Sequence, residues 1–385
     1  MKKLYVNSLC LGLLLYCSSS SLLAQDSLSA HLLIRQIEDQ QTRHDAFFMD
    51  GIFPSYISKR RAYEDKKKDN NVFYTALILY TLKKLRPMLP LADQVIVDSI
   101  AARSGKLFTQ FKNNKGRETY NFWRTDSAYR FPFIWWLPLN KKHILADDPD
   151  CTSMCLLALD ATNSIAQKAH MVMQNFSNDR KRPTVTAPSR YRYFSAYSGW
   201  FWKGQPAVFD ICVISNILTL VQTYDLPWTK ADSASMTLLL AIVNDKEYIT
   251  DPVMVSPYYG STSIILYHLA RLMSIKSIPA LEATKPMLIT EALRQLQQTK
   301  DELEKIILNT ALLKWNSKVA PELTKRSEIG KSNLPFIIAN IPSFFPFLVR
   351  KTLTNKGIGL YYYYCPSYNN VLLLENLVLT KNEIK

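Results

Sequence analysis

Three aspartates stand within four positions, Asp147, Asp148 and Asp150, directly before an almost wholly apolar segment that begins at Cys151. Crowded carboxylates repel one another, so one of them can hold a proton near neutral pH and act as a general acid. Their oxygens are also the ligands that hard metal cations prefer. The structural alternative is a helix cap, for which Asp150 or Thr152 is suitably placed. One carboxylate satisfies a cap, and three exceed what capping needs.

Several common catalytic motifs are absent from the 385 residues. The chain has no G-x-G-x-x-G sequence, no phosphate-binding P-loop, no H-E-x-x-H and no G-x-S-x-G, and its five histidines are far apart. Motif support is therefore missing for nucleotide binding, zinc proteolysis and serine hydrolysis. The formal net charge is +15, but the basic residues are scattered along the chain. We predict no nucleic-acid partner and expect an anionic ligand or an anionic envelope surface.

The N-terminus is typical of an exported protein. Residues 1–24 contain two lysines, a short apolar core and then small polar residues, which is the layout of a signal peptide cleaved after Ala24. Lipid attachment at Cys17 is the alternative, although the bulky Tyr16 precedes it. The apolar core is too short to cross a membrane, and no later segment reaches the required length. We predict a periplasmic or secreted protein without a transmembrane span.

Four cysteines remain in the mature chain after cleavage of the signal peptide. Their spacing does not fit a zinc site, and four cysteines on a chain of this length do not form a disulfide scaffold. We expect them to be small buried apolar residues, although an exported protein is free to form a disulfide bond. The four are Cys151, Cys155, Cys212 and Cys365.

Two kinds of helical segment alternate along residues 25–385, which we predict to be one domain. Segments that are apolar on every face must be buried, and amphipathic segments lie outside them. This alternation predicts an all-α fold, a single α/α toroid of inner and outer helices, with a two-layer bundle as the alternative. The predicted inner helices are 70–82, 151–161, 208–221, 260–273 and 367–379, and the outer ones are 28–40, 91–111, 163–176, 230–243 and 290–308.

Two long aromatic segments, 117–143 and 179–206, each precede a predicted inner helix. Loops of this length are uncommon unless they are functional or disordered, and these contain too many aromatic residues for disorder. Since inner helices of a toroid run parallel, we expect the two loops to cover one end of the ring as the rim of a pocket. The alternative is that they pack down as additional core. The ligand-binding residues predicted at this end are Asn71, Asp210, Tyr258, Trp123, Trp135 and Trp200.

The stretch "DPDCTSMCLLAL" resembles the acid motif of the class II terpene cyclases, whose triterpene branch carries Asp-Cys-Thr before an inner helix of an α/α toroid. The starts of other predicted inner helices are similar to those of terpenoid cyclase and prenyltransferase-like proteins. The resemblance implies that Asp150 is the general acid on an isoprenoid or lipid ligand, with Asp148 and Cys151 beside it and Thr152 as the cap. Asp150 and Asp148 are therefore the predicted catalytic residues.

Other functions stay open at this point. Secreted α/α toroids include polysaccharide hydrolases and lyases that use paired carboxylates, and Asp150 with Asp210 or Asp251 is a candidate pair. A non-catalytic binding or scaffold protein is the third possibility. The aspartate-rich metal motif of class I terpene synthases would need a partner motif, and residues 244–251 match it only loosely. We predict no metal and no cofactor, and we expect Asp147, furthest from the helix, to be the most solvated aspartate.

Overall fold

The computed structural model describes residues 30–61, 65–127, 131–133, 146–178, 180–181, 183–202, 205–317, 332 and 334–383. The predicted signal peptide and Trp135 lie outside these residues. The described chain is mostly helical, as predicted. The all-α prediction is nevertheless wrong in one respect, because four short strands form a sheet.

The helices follow one another with short connections in most of the chain. Their bounds are α1 (30–40), α2 (Phe73–Leu85), α3 (Leu91–Gly105), α4 (Pro149–Ala158), α5 (Asn163–Gln174), α6 (Ile211–Thr223), α7 (Lys230–Asn244), α8 (Glu247–Thr250), α9 (Pro252–Val255), α10 (Thr262–Met273), α11 (Pro279–Glu282), α12 (Lys285–Gln298), α13 (Glu302–Lys314), α14 (Phe347–Asn355) and α15 (Pro366–Glu383).

The strands β1 (Ser55–Ser58), β2 (Lys67–Asp69), β3 (Ile337–Asn340) and β4 (Leu360–Tyr364) form an antiparallel sheet in the order β2-β1-β4-β3. The hydroxyl of Tyr74 on α2 donates to the carbonyl of Tyr363, 2.9 Å away. At the β3 edge of the sheet, the amide of Ile338 donates to the carbonyl of Tyr258 at 2.7 Å. The sheet is therefore tied to the start of α2 and to the segment that precedes α10.

Six apolar helices contact one another in succession. α2 packs against α4, α4 against α6, α6 against α10, α10 against α13, α13 against α15, and α15 against α2 again. α3, α5 and α7 contact α2, α4 and α6 respectively, and α12 contacts α13. Nearly every residue of α2, α4, α6 and α10 is buried, as expected for helices that are apolar on all faces.

The predicted outer helix 290–308 is wrong, because the structure divides it between α12 and α13. The chain leaves the helical conformation at Thr299, and the side chain of Asp301 caps α13 by accepting from the amide of Glu304 at 3.1 Å. α13 belongs to the succession of apolar helices, with residues 306–313 buried. An Asp followed three positions later by Glu is a helix-start signal, and it was available in the sequence.

The described helices contain none that is both long enough and apolar enough to cross a membrane.

Ile307 on α13 tests whether this helix is part of the core. Its side chain is fully buried, so we expect Ile307→Ala to lower the free energy of unfolding by about 2–5 kcal/mol. Ile358→Ala is the matched control, because Ile358 is 52% exposed and the same deletion should cost about 0.5 kcal/mol or less. Urea unfolding of both variants measures the difference, and equal losses would contradict the burial of α13.

Candidate functional site

α4 begins at the aspartate cluster, and its cap is Asp148. The Asp148 carboxylate accepts from the amide of Cys151 at 2.7 Å, and Pro149 occupies the first helical position. The hydroxyl of Thr152 donates to the Asp148 carbonyl at 2.6 Å. The prediction that Asp150 or Thr152 caps this helix is therefore wrong, because the cap is Asp148. Burial, together with the charge of Asp150, raises the pKa of Asp148 well above its usual range.

The expectation that Asp147 is the most solvated aspartate is also wrong. Asp147 is 2% exposed and accepts from the guanidinium of Arg117 and the hydroxyl of Thr119. The loop folds back over this end of α4, where the amide of Asp148 donates to the carbonyl of Tyr120 at 3.2 Å. Because Arg117 reaches the carboxylate from that loop, Asp147 is neutralised by an ion pair rather than by water.

Asp150 is held only by side chains from other elements. Its Oδ1 accepts from Nδ2 of Asn216 on α6 at 2.6 Å, and its Oδ2 accepts from the hydroxyl of Tyr259 at 2.6 Å. Burial raises the pKa of Asp150 to about 7, although the bonds from Asn216 and Tyr259 and the charge of Arg271 act in the opposite direction. Part of the residue's surface is accessible, although its carboxyl group is buried.

Asn216 links Asp150 to a buried cation. The Oδ1 atom of Asn216 accepts from Nη2 of Arg271 on α10. The guanidinium lies over the rings of Tyr80 and Tyr267, with centroids 5.8 Å and 5.6 Å away. Asn216, Tyr259 and Arg271 were not among the residues predicted from the sequence. Arg271 gave little signal, because it lies in the last turn of α10, where a basic residue is favourable in any helix.

Asp210 caps α6, and four donors fill its carboxylate. It accepts from the amides of Cys212 and Val213 at 2.8 Å and 3.2 Å, from the hydroxyl of Ser256 at 2.7 Å, and from the amide of Tyr258 at 2.8 Å. Burial raises its pKa to about 6, and these hydrogen bonds limit the rise. Asp210 is therefore a structural group that joins the start of α6 to the segment before α10.

Tyr258 and Trp200 lie together beside this cap. The indole Nε1 of Trp200 donates to the hydroxyl of Tyr258, and their rings meet edge to face with centroids 5.8 Å apart. Phe344 packs on the other side of Trp200 at 5.7 Å. Trp200 and Tyr258 are half-buried and in contact with each other, and their role at the rim of a pocket stays a prediction.

Asn71 and Trp123 form a second buried group at the start of α2. The Nδ2 atom of Asn71 donates to Ser55 Oγ and to Asp69 Oδ2, both at 2.7 Å, and the indole of Trp123 donates to Asp69 Oδ1 at 3.0 Å. Asn71, Asp69 and Trp123 are all buried. Their polar atoms bond to one another, so this group joins β1 and β2 to α2. Asn71 and Trp123 are therefore part of the core, which was the alternative to a ligand-binding role.

Backbone hydrogen bonds bring the predicted residues to one end of the helices. The amide of Val72 donates to Phe122, that of Asp148 to Tyr120, and that of Phe201 to Asp147, each at 3.2 Å. The starts of α2, α4 and α6 are thereby joined through the two aromatic loops. Cys151 is buried between them, and burial raises the pKa of its thiol well above the usual range. Cys151, Cys155, Cys212 and Cys365 are all free and buried.

The interior next to Asp150 is filled with aromatic side chains. The ring of Phe336 lies 6.0 Å from Tyr259, 6.2 Å from Tyr267 and 4.8 Å from Tyr368, and all four residues are buried. His268 packs 4.6 Å from Tyr259, and burial lowers its pKa well below the usual range. Tyr259, whose hydroxyl donates to Asp150, is thus packed against aromatic rings and a neutral imidazole.

A cavity of about 240 Å³ lies at the opposite end of α4, beyond Leu157. The side chains of Lys83 and Asp160 line it and form an ion pair of 2.5 Å with each other. Lysine side chains near helix C-termini are favourable in themselves, so these charges need no ligand. Among the described residues, no group of three or more histidine, cysteine or acidic side chains is arranged to hold a metal ion.

Comparison of the chain with protein-family models, with curated proteins and with solved structures found no match.

The ion pair of Asp147 gives a direct test of how the loop is held. Removing Arg117 leaves a buried carboxylate without its cation, so Arg117→Ala should cost about 2–3 kcal/mol, somewhat less than for a fully buried pair. Arg124→Ala is the control, since Arg124 and Asp126 form an exposed pair whose loss should cost about 1 kcal/mol or less. Chemical unfolding compares the two, and a silent Arg117→Ala would contradict the buried pair.

The raised pKa of Asp150 predicts a particular dependence of stability on pH. The folded protein holds the Asp150 proton more tightly than the unfolded chain, whose carboxyl has a pKa of about 3.9. The stability from this proton is fully present below about pH 4, and it is lost as the pH rises through about 7. We therefore expect the unfolding free energy of the wild type, minus that of Asp150→Asn, to fall between these two pH values.

The difference between wild type and variant is needed because Asp148 and Asp210 titrate in the same direction. Asp160→Asn, which removes a carboxylate from the surface, sets the baseline. Unfolding curves recorded across the pH range give the result. A difference for Asp150→Asn that is no steeper than the Asp160→Asn baseline would show that Asp150 titrates like an ordinary carboxyl.

Proposed function

We propose that the succession of apolar helices is the inner ring of an α/α toroid. The contacts lead from α2 through α4, α6, α10, α13 and α15 back to α2, and α3, α5, α7 and α12 lie against members of this series. A closed series of inner helices with outer partners is what the alternation in the sequence predicts. In this arrangement Asp148, Asp150 and Asp210 lie at one mouth of the ring.

We further propose that the protein is an exported enzyme in which Asp150 is the general acid acting on an isoprenoid or lipid ligand. The supporting observation is that Asp150 differs from its neighbours in its partners. Asp147 is paired with Arg117, and Asp148 and Asp210 cap helices. Asp150 alone among these four neither pairs with a cation nor caps a helix, and its pKa is about 7.

A carboxyl group in this state can both give and recover a proton at neutral pH. In the proposed reaction the Asp150 proton moves to an alkene carbon or an epoxide oxygen of the ligand. The π electrons form the new C–H bond, or the epoxide C–O bond opens, and a carbocation remains. The carboxylate left behind keeps its hydrogen bonds from Asn216 and Tyr259, and it takes a proton back when the product loses one.

The surroundings of Asp150 suit a positively charged apolar intermediate. The faces of Tyr259 and Phe336 carry negative quadrupole charge, which attracts cations. His268 stays neutral, and its Nδ1 donates to the carbonyl of Ile264 at 2.8 Å. A neutral imidazole adds no repulsion to a carbocation. The aromatic rings support the isoprenoid class, whereas the charge of Arg271 opposes a carbocation close to Asn216.

The polysaccharide hydrolase alternative loses support, because a glycosidase needs a second carboxylate that is free to act. Asp210 is occupied by four hydrogen-bond donors. Asp251 forms an ion pair of 2.8 Å with Lys351. Neither residue offers an uncommitted carboxylate opposite Asp150.

A non-catalytic binding or scaffold protein is the second candidate, and one observation favours it. Tyr74, Tyr267, Tyr363 and Tyr368 are buried within the apolar helices and the sheet, where a substrate channel would otherwise run. A filled interior restricts any ligand to the mouth. The two candidates differ in whether the proton of Asp150 is needed.

Asp150→Asn separates them. The variant keeps the size of the side chain, and its amide can still meet Asn216 and Tyr259, so we expect its melting temperature to stay close to that of the wild type. Because the acid proton is gone, turnover of isoprenoid alkenes and epoxides should fall by about a hundredfold or more. Product analysis after incubation with isoprenoid and oligosaccharide panels measures this.

Asp160→Asn is the matched control, since it changes a carboxylate at the opposite end of the same helix and should leave turnover unchanged. A folded Asp150→Asn protein with wild-type turnover would end the acid proposal. Ligand binding that persists unchanged in Asp150→Asn, with no turnover by the wild type, would favour the non-catalytic candidate.

A further inference from the structure

Asp150 is the end of a relay of side chains that begins at Arg271. The guanidinium donates from Nη2 to Oδ1 of Asn216, and Nδ2 of Asn216 donates to Oδ1 of Asp150 at 2.6 Å. Each of the three residues belongs to a different helix of the inner series, α10, α6 and α4. The same Asn216 nitrogen lies 3.3 Å from the hydroxyl of Tyr259.

The chemistry of the guanidinium fixes which way the amide of Asn216 points. Arginine has five N–H donors and no acceptor, so the atom of Asn216 that faces it must be the oxygen. The amide nitrogen is then directed to Asp150, where it donates. Without the guanidinium the amide is free to turn over and present its oxygen to Asp150. An amide oxygen accepts a hydrogen bond from the protonated acid and repels the carboxylate.

The guanidinium itself is isolated from other polar groups. Arg271 is 2% exposed, and among the described residues its Nε and Nη1 have no hydrogen-bond partner. Within the same part of the chain, no carboxylate lies within ion-pair distance of it. Tyr80 and Tyr267 offer their ring faces instead. Because the charge is neither solvated nor paired, its field reaches Asp150 with little screening.

We propose that Arg271 and Asn216 are positioning residues for Asp150: the guanidinium locks the amide so that a donor faces the carboxyl, and its charge balances the burial of that carboxyl. This inference rests on the proposed function only for what the Asp150 proton does. Arg271 and Asn216 set the pH at which Asp150 loses its proton, whichever ligand the protein binds.

Other ionisable groups also face Asp150, and their charges affect its proton affinity as well. Asp148, Cys151 and Cys155 lie on its own helix or at its start. Asp210 and Cys212 face it from α6. Tyr259 faces it from the segment before α10. The thiols and the phenol are neutral because burial raises the pKa of each. Asp148, Asp210 and Arg271 are the other groups whose charge bears on Asp150.

The test is a direct titration of the Asp150 carboxyl carbon by NMR in the full mature protein labelled at aspartate, with the signal assigned by Asp150→Asn in each background. Arg271→Met removes both the lock and the charge, and Arg271→Gln removes only the charge while its amide can still donate to Asn216. Asn216→Asp is the third variant. It keeps a partner for the guanidinium but cannot donate to Asp150, so it should fold even if Arg271→Met does not.

We expect the titration midpoint of Asp150 to rise by about one unit or more, a tenfold change in proton affinity, in Arg271→Met and in Asn216→Asp. Arg271→Gln should give a smaller rise, because the orientation of Asn216 is kept. Arg350→Met is the matched control. Arg350 is also a buried guanidinium, but it donates to the carbonyls of Thr186, Val253 and Met254, and its loss should leave the midpoint in place.

A folded Asn216→Asp or Arg271→Met protein whose Asp150 midpoint equals that of the wild type would overturn the relay. A midpoint that moves equally in Arg350→Met would overturn it as well, because the effect would then come from any buried guanidinium. The titration reads the carboxyl without a substrate, so its outcome is independent of the proposed function. Failure of that function appears instead as unchanged turnover in Asp150→Asn.

Discussion

The architecture around the start of α4 depends on one constraint, which is that a carboxylate removed from water must be neutralised or saturated with hydrogen bonds. Four aspartates meet this constraint in different ways. Asp147 takes a cation, and Asp148 and Asp210 take the free amides of helix starts. Asp150 has neither, because the amides of its helix are satisfied by Asp148. It is left with two side-chain donors and a distant charge.

Much of the secondary structure was predictable because a buried helix has a recognisable apolar pattern in the sequence. A helix that is apolar on every face, such as α6 or α10, can only lie inside, and the predicted bounds agree with the observed ones within a few residues. The aspartate cluster marked the correct end of α4 because acids favour helix starts. The strands escaped prediction. β4 is a leucine followed by four tyrosines, a run without the alternation of polar and apolar residues that marks a strand, and its partner β1 is distant in the sequence.

The hydrogen-bond partners of Asp150 were not predictable, for a related reason. The partners of Asp150 lie 66 and 109 positions away in the chain, and neither Asn216 nor Tyr259 stands in a recognisable motif. Solvation was misjudged for Asp147 because the arginine that covers it belongs to another loop. Burial depends on tertiary contacts, whereas capping and periodicity are local. The sequence therefore indicated where the aspartates cluster, and the tertiary contacts decide how each carboxyl is bound.

The central claim is that Asp150 holds a proton at neutral pH in the folded protein. Infrared spectroscopy tests it most directly, since a protonated carboxyl has a carbonyl band that the carboxylate lacks. The spectrum of the wild type minus that of Asp150→Asn isolates this one group. The account predicts that the protonated band disappears with a midpoint near pH 7. Disappearance with a midpoint near 4, that of an ordinary aspartate, would contradict it.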